Sequence, residues 1–439
     1  MNLPEKFLEH ARQFAGKDYD AFISSLSNPV QTSIRLNPFK LTEQFSTEEN
    51  VPWSQHGKFL KDRPSFTLDP LFHAGCYYVQ DSSSQFLEKP FLQIKNTNRD
   101  PLIVLDLCAA PGGKSTHILS MLQKEDILVS NEVISSRNNI LRDNIFKWGC
   151  SNVIVTQNEP KDFLALKNYF DVIVVDAPCS GEGLFRKDPD AVNEWSEENV
   201  NRCSIRQSEI LSHAFQSLKP GGFLIYSTCT FEKVENDDKV QMMMDEYNLI
   251  PISMDTNFAG ITNTGNGFTF FPHLNKGEGF FISLLQKQGE LSTTHKRQER
   301  KKEKLSVYAE QFLSDSDEFF TLNKEERTFL IPHIHAGTFR TMAEKLYVRL
   351  AGIYLGDVKG KNFIPSAGLS LSNHIRKDIA SVELAKDQAI KFLRGEPIKI
   401  DSPIGWTLAR YKGFNLGWMK NLGDRTNNYY PKEWRIRKG

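Results

Sequence analysis

The sequence has no C-x-x-C pair, and its six cysteines (Cys76, Cys108, Cys150, Cys179, Cys203 and Cys229) lie scattered through 439 residues. That spacing argues against a disulfide framework, and no metal site is expected. No apolar run approaches the roughly 18 residues needed to cross a membrane. The opening stretch MNLPEKFLEHARQF carries acids and no apolar centre, so it does not read as a signal peptide. A cytoplasmic, reducing setting is therefore expected, where free thiols can serve chemistry. Net charge is lacking too: 54 Lys and Arg balance 54 Asp and Glu. That balance argues neither for nor against a nucleic-acid partner. The basic residues are nonetheless uneven, with one run in THKRQERKKEK and others in the final stretch. Such runs, taken alone, are solvated linkers and tails.

A hydrophobic content of 39% with 25% charged residues is ordinary for a soluble globular protein. The length calls for more than one core. Residues 1–92 mix short helical and strand-like pieces around Trp53, with no repeat. Residues 93–288 then alternate strand and helix: LIVLDL, ILVSNE, NVIVT, FDVIVVD, GGFLIYST and GFFISLLQK are apolar runs separated by helical stretches. Uninterrupted apolar strands between helices predict a parallel α/β sheet covered on both faces, with an antiparallel edge late in the series. Residues 289–304 read as a charged linker. Beyond them, 305–375 is expected to form an intermediate domain, and 376–439 a small β-rich module.

VLDLCAAPGGKSTHI sets a Gly-Gly pair between a buried strand and a helix, a turn that lets backbone N–H groups approach a ligand. Two readings compete. One is a P-loop, from which Cys108–Ser115 departs only at its first residue. The missing glycine removes backbone freedom where a phosphate cradle needs it. The other is a nucleoside-cofactor turn. Glu132 ends the next strand, about 20 residues on, where a carboxylate can accept ribose hydroxyls. In an open parallel sheet the ligand crevice lies at the carboxyl ends of the strands, which is where Asp176, Cys179 and Cys229 fall. A single cysteine is more often a small buried apolar residue, and Cys76, Cys108, Cys150 and Cys203 are left so. Two thiols converging on one crevice are harder to dismiss.

CAAPGGKS, DAPCSGEG and YSTCTF together resemble the Sun-type RNA cytosine-5 methyltransferases. GEGLFRKDP and FFPHLNKGEGFF look like that family's RsmF-like branch, which acts on 16S rRNA of the small ribosomal subunit. SIRLNP and YYVQDSSSQ are similar to the branch's N-terminal region, and GWMKNLGDRTNNYYPKEWR to its PUA-like C-terminal module. The resemblance spans nearly the whole chain. It departs at Thr269, where the branch often has arginine, and at NEP (158–160), where the third-strand acid is less well matched.

The resemblance implies a Rossmann-like seven-stranded methyltransferase core, with an α+β N-terminal RNA-binding domain before it and a β-rich PUA-like region after it. It implies S-adenosyl-L-methionine as methyl donor and RNA as partner: 16S rRNA or the small subunit, with no membrane and no obligate protein partner. A monomer is expected. Cys229 is then the thiol that attacks carbon 6 of the cytosine, and Cys179 the one that assists release. Cys108, Ala109, Ala110, Pro111, Gly112, Gly113 and Lys114 would wrap the methionine part of the donor, and Glu132 its ribose. Glu159 would approach the adenine. Asp176 would stand between donor and base, joined by Lys114, with Pro178 shaping the turn. Arg425, Lys432, Arg435 and Arg437 are expected on an RNA surface. The rival readings are a tRNA cytosine methyltransferase, a P-loop NTPase and a non-catalytic RNA-binding assembly factor.

Overall fold

The computed structural model describes residues 2–97, 100–254, 257–290, 307–360 and 362–437. Of the charged linker expected over 289–304, all but residues 289 and 290 lie outside the described residues.

The centre is a mixed sheet whose five parallel strands run in the order Leu218–Thr228, Phe170–Asp176, Ile103–Asp106, Ile127–Asn131 and Val153–Thr156. Ile103–Asp106, Ile127–Asn131 and Val153–Thr156 are buried at every position, as continuous β-branched and leucine runs require when both sheet faces are covered. Alternation sorts their side chains: Val104 and Leu128 join the core on one face, Ile103, Leu105 and Val129 that on the other. Phe280–Lys287 pairs antiparallel with Leu218–Thr228, confirming the late antiparallel edge.

The expected parallel α/β core is thus present, and the sheet is longer than the seven strands expected: among the described residues it has ten. Short antiparallel pieces at Leu249–Pro251, Ile261–Asn263 and Phe268–Phe270 extend one side. Val348–Ala351 pairs with Val153–Thr156 on the other. That last strand belongs to the stretch read as an intermediate domain. Its neighbours form a separate antiparallel sheet of Phe319–Lys324, Arg327–Pro332, Ile353–Lys359 and Asn362–Pro365.

The N-terminal sheet, which contains Ser33–Leu36 and Tyr77–Val79, shares one core with the C-terminal module: Ile34, Leu36 and Leu71 pack with Phe392, Leu393 and Leu416. The helices Glu5–Ala15 and Tyr19–Ser25 instead cover the loops that follow Phe170–Asp176 and Leu218–Thr228, Phe7 and Phe22 packing with Phe185, Trp195 and Phe231.

Candidate active site

The glycine turn leaves the strand Ile103–Asp106 and enters the nine-residue helix Gly113–Met121. Gly112, at φ 110°, caps that helix in the left-handed region that disfavours a side chain. The helix Ser135–Trp148 holds the turn from behind: Arg137 donates to the Ala110 carbonyl at 2.8 Å, and Asn144 to that of Pro111 at 2.8 Å. With those carbonyls engaged, the turn and the helix N-terminus present N–H groups, which favour an anionic ligand group.

Glu132 lies buried at the end of the second strand, its carboxylate accepting the Ile134 N–H at 2.8 Å. Arg137 stands 3.4 Å from it. Glu159 is exposed and caps the short helix Pro160–Leu166. The Asn131 side chain donates to the carbonyl of neighbouring Asn158 at 2.9 Å and accepts its N–H at 3.0 Å, which brings the third strand's end beside the second's. Cys108 is only partly buried by area, and burial of its thiol raises its pKa, with Asp106 adding to the effect.

Cys179 follows the strand Phe170–Asp176, and Cys229 follows Leu218–Thr228. These strands are parallel neighbours, with Asp176 level with Ser227, so their ends emerge side by side. The two sulfurs lie 3.1 Å apart, and the Cys229 N–H points at the Cys179 sulfur at 3.3 Å. The contact with the Cys229 thiol, and then burial, hold the Cys179 thiol well above its ordinary value. It is therefore protonated at neutral pH. Lys114 reaches Asp176 at 2.8 Å and lies 5.0 Å above the Phe280 ring. Lys114 is thus an enclosed ion-pair partner, and Asp176 caps no helix: its other oxygen accepts the Ser227 hydroxyl at 2.8 Å.

Several supporting residues were missed from the sequence. Glu235 accepts the Ser180 N–H at 3.1 Å and the Gln207 amide at 2.7 Å, and that same amide donates to the Pro178 carbonyl at 3.0 Å. It thereby fixes the Pro178–Ser180 turn around Cys179; burial pushes its carboxyl up to about 7. Glu182, within the GEG motif, accepts from Trp195 at 2.7 Å and from the Phe231 N–H at 3.0 Å, which binds the loop after Cys179 to the loop after Cys229. Burial and the adjacent Glu232 hold it well above the carboxylate range. Asp106, beneath the turn, accepts the Ser115 hydroxyl at 2.6 Å, its other oxygen is buried without a partner, and burial raises it to about 7.

Arg35 comes from the N-terminal sheet and underpins the glycine turn. Its guanidinium donates to Gln80 and Thr116 side chains at 2.7 Å each, to Ser120 at 3.1 Å and to the Gly113 carbonyl at 3.2 Å. It lies 4.5 Å over the Trp148 ring. The available signal was a lone cation in the centre of the apolar strand SIRL, fully buried.

Residues 91–286 match the family described as 16S rRNA methyltransferase RsmB/F. Residues 3–82 match the N-terminal domain of 16S rRNA methyltransferase RsmF, and residues 380–436 the methyltransferase RsmF PUA domain. The ribosomal RNA small subunit methyltransferase F of Shewanella loihica is 31% identical, over 94% of this chain and 91% of its own length. That of an Enterobacter species is 30% identical over 98% and 95%. Among solved structures, a methyltransferase homolog protein from Pyrococcus horikoshii is similar at 25% identity, with a TM-score of 0.55 over 65% of this chain and 95% of that one. NSun6 from Pyrococcus horikoshii with SFG shares the fold at 20% identity, with a TM-score of 0.56 over 65% of this chain and 99% of that one.

Proposed function

Because the chain belongs to the 16S rRNA methyltransferase RsmB/F family, we propose that its reaction is carried by the thiol pair Cys229 and Cys179. The enzyme methylates carbon 5 of a cytosine in 16S rRNA, with S-adenosylmethionine as the methyl donor. One observation carries the assignment of residues: two sulfurs 3.1 Å apart at the ends of adjacent parallel strands, beside the Lys114–Asp176 pair.

Carbon 5 of cytosine is a poor nucleophile. Addition of the Cys229 thiolate to carbon 6 turns the ring into an enamine whose carbon 5 can take a methyl cation equivalent. The proton on carbon 5 must then leave to a base, the carbon 6–sulfur bond breaks, and Cys229 departs as a thiolate. Cys179, kept protonated by its surroundings, is the hydrogen-bond donor to that departing sulfur. Lys114 and Asp176 orient the base edge, and Pro178 shapes the turn that carries Cys179. A cytosine reaches this crevice only when unstacked from its neighbours.

The residues of the turn fit the donor. Gly112 and Gly113 let the turn pack closely on its supports, a Cβ at each coming within 3.2 Å of Leu141 and 3.3 Å of Tyr78 respectively, and its backbone N–H groups at a helix N-terminus suit the donor's carboxylate. Residues Cys108 to Lys114 hold its methionine part, Glu132 its ribose and Glu159 the adenine side. Bound there, S-adenosylmethionine supplies the electrophilic methyl group.

On this reading the protein is a monomer in the cytoplasm, a reducing setting in which both thiols stay free. Among the described residues no helix is long and apolar enough to cross a membrane. Arg425, Lys432, Arg435 and Arg437 form an RNA surface on the C-terminal module; the last two line a cleft against Ser65 and His73 of the N-terminal region.

The test is transfer of tritiated methyl to a 16S rRNA transcript and to isolated small subunits, with bisulfite mapping. Label in 5-methylcytosine is expected. Cys179→Ala should accumulate a covalent RNA–protein adduct and Cys229→Ala none. Adducts in neither variant would overturn the division of labour between the thiols.

A further inference from the structure

Away from the thiols, three arginines from three elements come together, and two acids, Asp143 and Asp357, lie beside them. Arg142 is on the helix Ser135–Trp148, Arg327 begins the strand Arg327–Pro332, and Arg349 is on the edge strand Val348–Ala351. Arg142 and Arg349 both donate to the side-chain oxygen of Asn139, at 3.4 and 3.2 Å. That shared neutral acceptor brings two guanidinium groups to one point. The charges of Arg349 and Arg327 both disfavour the charged form of Arg142, after its burial. Among the described residues none of the three enters an ion pair, and the buried Nε of Arg142 has no hydrogen-bond partner. Two acids lie near: Asp143 acts on Arg142 between the effects of Arg349 and Arg327, and Asp357, which accepts the Tyr354 hydroxyl, stands opposite Arg327 in the strand ladder, so the three guanidinium charges outnumber the acids beside them. Arg137, one turn up the same helix, is by contrast committed to Ala110 and Glu132.

The cluster's position matters as much as its charge. Val348 pairs with Thr156, at the carboxyl end of the strand Val153–Thr156, so this edge opens on the same rim of the sheet as the glycine turn. Tyr347 is held there by its backbone, its N–H donating to the Asn158 side chain at 3.0 Å. Tyr347 is 55% exposed, with the Lys324 ammonium 5.7 Å and the Arg349 guanidinium 5.9 Å from its ring centroid. An exposed aromatic side chain with cations over its ring is the combination that stacks an unpaired base, once those flexible cations turn to meet the backbone phosphates.

We propose that Arg142, Arg327 and Arg349 form a phosphate site for the RNA substrate, which takes a stretch of phosphodiester backbone along the rim beside the cofactor turn while Tyr347 stacks a flanking base. Planar guanidinium forks match phosphate oxygens, and an anion placed among them relieves their mutual repulsion. The proposal rests on RNA being the substrate. It makes the edge strand Val348–Ala351 part of substrate binding as well as of the sheet.

The test compares the wild-type enzyme with the triple variant Arg142→Gln, Arg327→Gln, Arg349→Gln. A 16S rRNA transcript is titrated between about 50 and 200 mM KCl, in the presence of S-adenosylhomocysteine. Each phosphate contact contributes about 0.7–0.9 to the slope of log affinity against log salt. The triple variant should lose about two from that slope and bind at least about tenfold more weakly, with unchanged affinity for S-adenosylhomocysteine. The corresponding triple lysine variant should keep most of the slope. A glutamine variant with wild-type slope and affinity would overturn the proposal. Should that variant melt early, the exposed Arg327→Gln alone should lower the slope by up to one, and a wild-type slope there is equally adverse. Wild-type enzyme that neither binds nor methylates RNA would overturn the substrate reading itself, an outcome visible before any arginine is changed.

Discussion

Arg35→Met removes the brace beneath the cofactor turn while keeping most of the side chain's bulk. The lost interactions can be weighed. Two hydrogen bonds of 2.7 Å, to Gln80 and Thr116, have a charged donor, and each contributes about 1.5 kcal/mol or more. The guanidinium over Trp148 adds about 1 kcal/mol. Against this stands the cost of keeping a cation buried, large enough to bring Arg35 down to about 9. Thr116 and Ser120 also donate to helix carbonyls and keep those partners, whereas the Gln80 oxygen is left without one. Relief of that burial cost offsets most of the lost interactions, and stranding the buried Gln80 oxygen costs about 1–3 kcal/mol, so the expected net is a loss of about 2 kcal/mol. The Gly113 carbonyl is one of the acceptors, so the turn itself should loosen. S-adenosylhomocysteine should then bind about tenfold more weakly, equivalent to about 1.4 kcal/mol. Arg35→Lys restores a charge but not the fork, and should recover less than half of either effect. Urea unfolding and calorimetric titration with S-adenosylhomocysteine read both quantities. If Arg35→Met lies within about 1 kcal/mol of wild type and binds the ligand equally well, the brace is not what holds the turn.

Asp106 and Glu235 are both buried and raised to about 7 from ordinary values of 3.8 and 4.5. The folded state thus keeps protons that the unfolded chain has released, so their contribution to stability falls as pH rises from about 4 to about 7. For Asp106 the fall between pH 5 and its folded value is about 3 kcal/mol. Asp106→Asn should remove that part of the pH dependence in urea unfolding at pH 5 and 8, and an undiminished dependence would contradict the assignment. Glu132→Gln keeps an acceptor for the Ile134 N–H but loses the charge. Its affinity for S-adenosylhomocysteine should fall about tenfold with little change in melting temperature. Equal affinity would remove Glu132 from the nucleoside site.

Much of the site was legible before any coordinates because it is built from local patterns. Strand, glycine turn and helix in VLDLCAAPGGKSTHI are neighbours in the chain, and the carboxyl ends of parallel strands are where ligands bind. Cys179 and Cys229 could be placed at two such ends from the runs FDVIVVD and GGFLIYST. Lys114 and Asp176 were candidates from separate segments, and only the fold shows that they form a 2.8 Å pair. Arg35 acts on residues from Gln80 to Ser120, and no periodicity within SIRL reveals where a buried cation finds its acceptors. The strand Val348–Ala351 was hidden for a related reason: its partner strand lies far back in the sequence, across the linker.

By itself the sequence determined the alternation of strand and helix, the glycine turn, the thiols at strand ends and the family likeness. These depend on residue type and short spacing, which tertiary contacts do not alter. Tertiary structure alone decided that the sulfurs lie 3.1 Å apart and that Cys179 is held as a thiol. It also decided that an arginine of the N-terminal sheet braces the turn, and that the sheet's far edge comes from beyond the linker. The physical reason is the same in each case. Distance and desolvation between remote segments set these properties, and both come into being only when the segments pack.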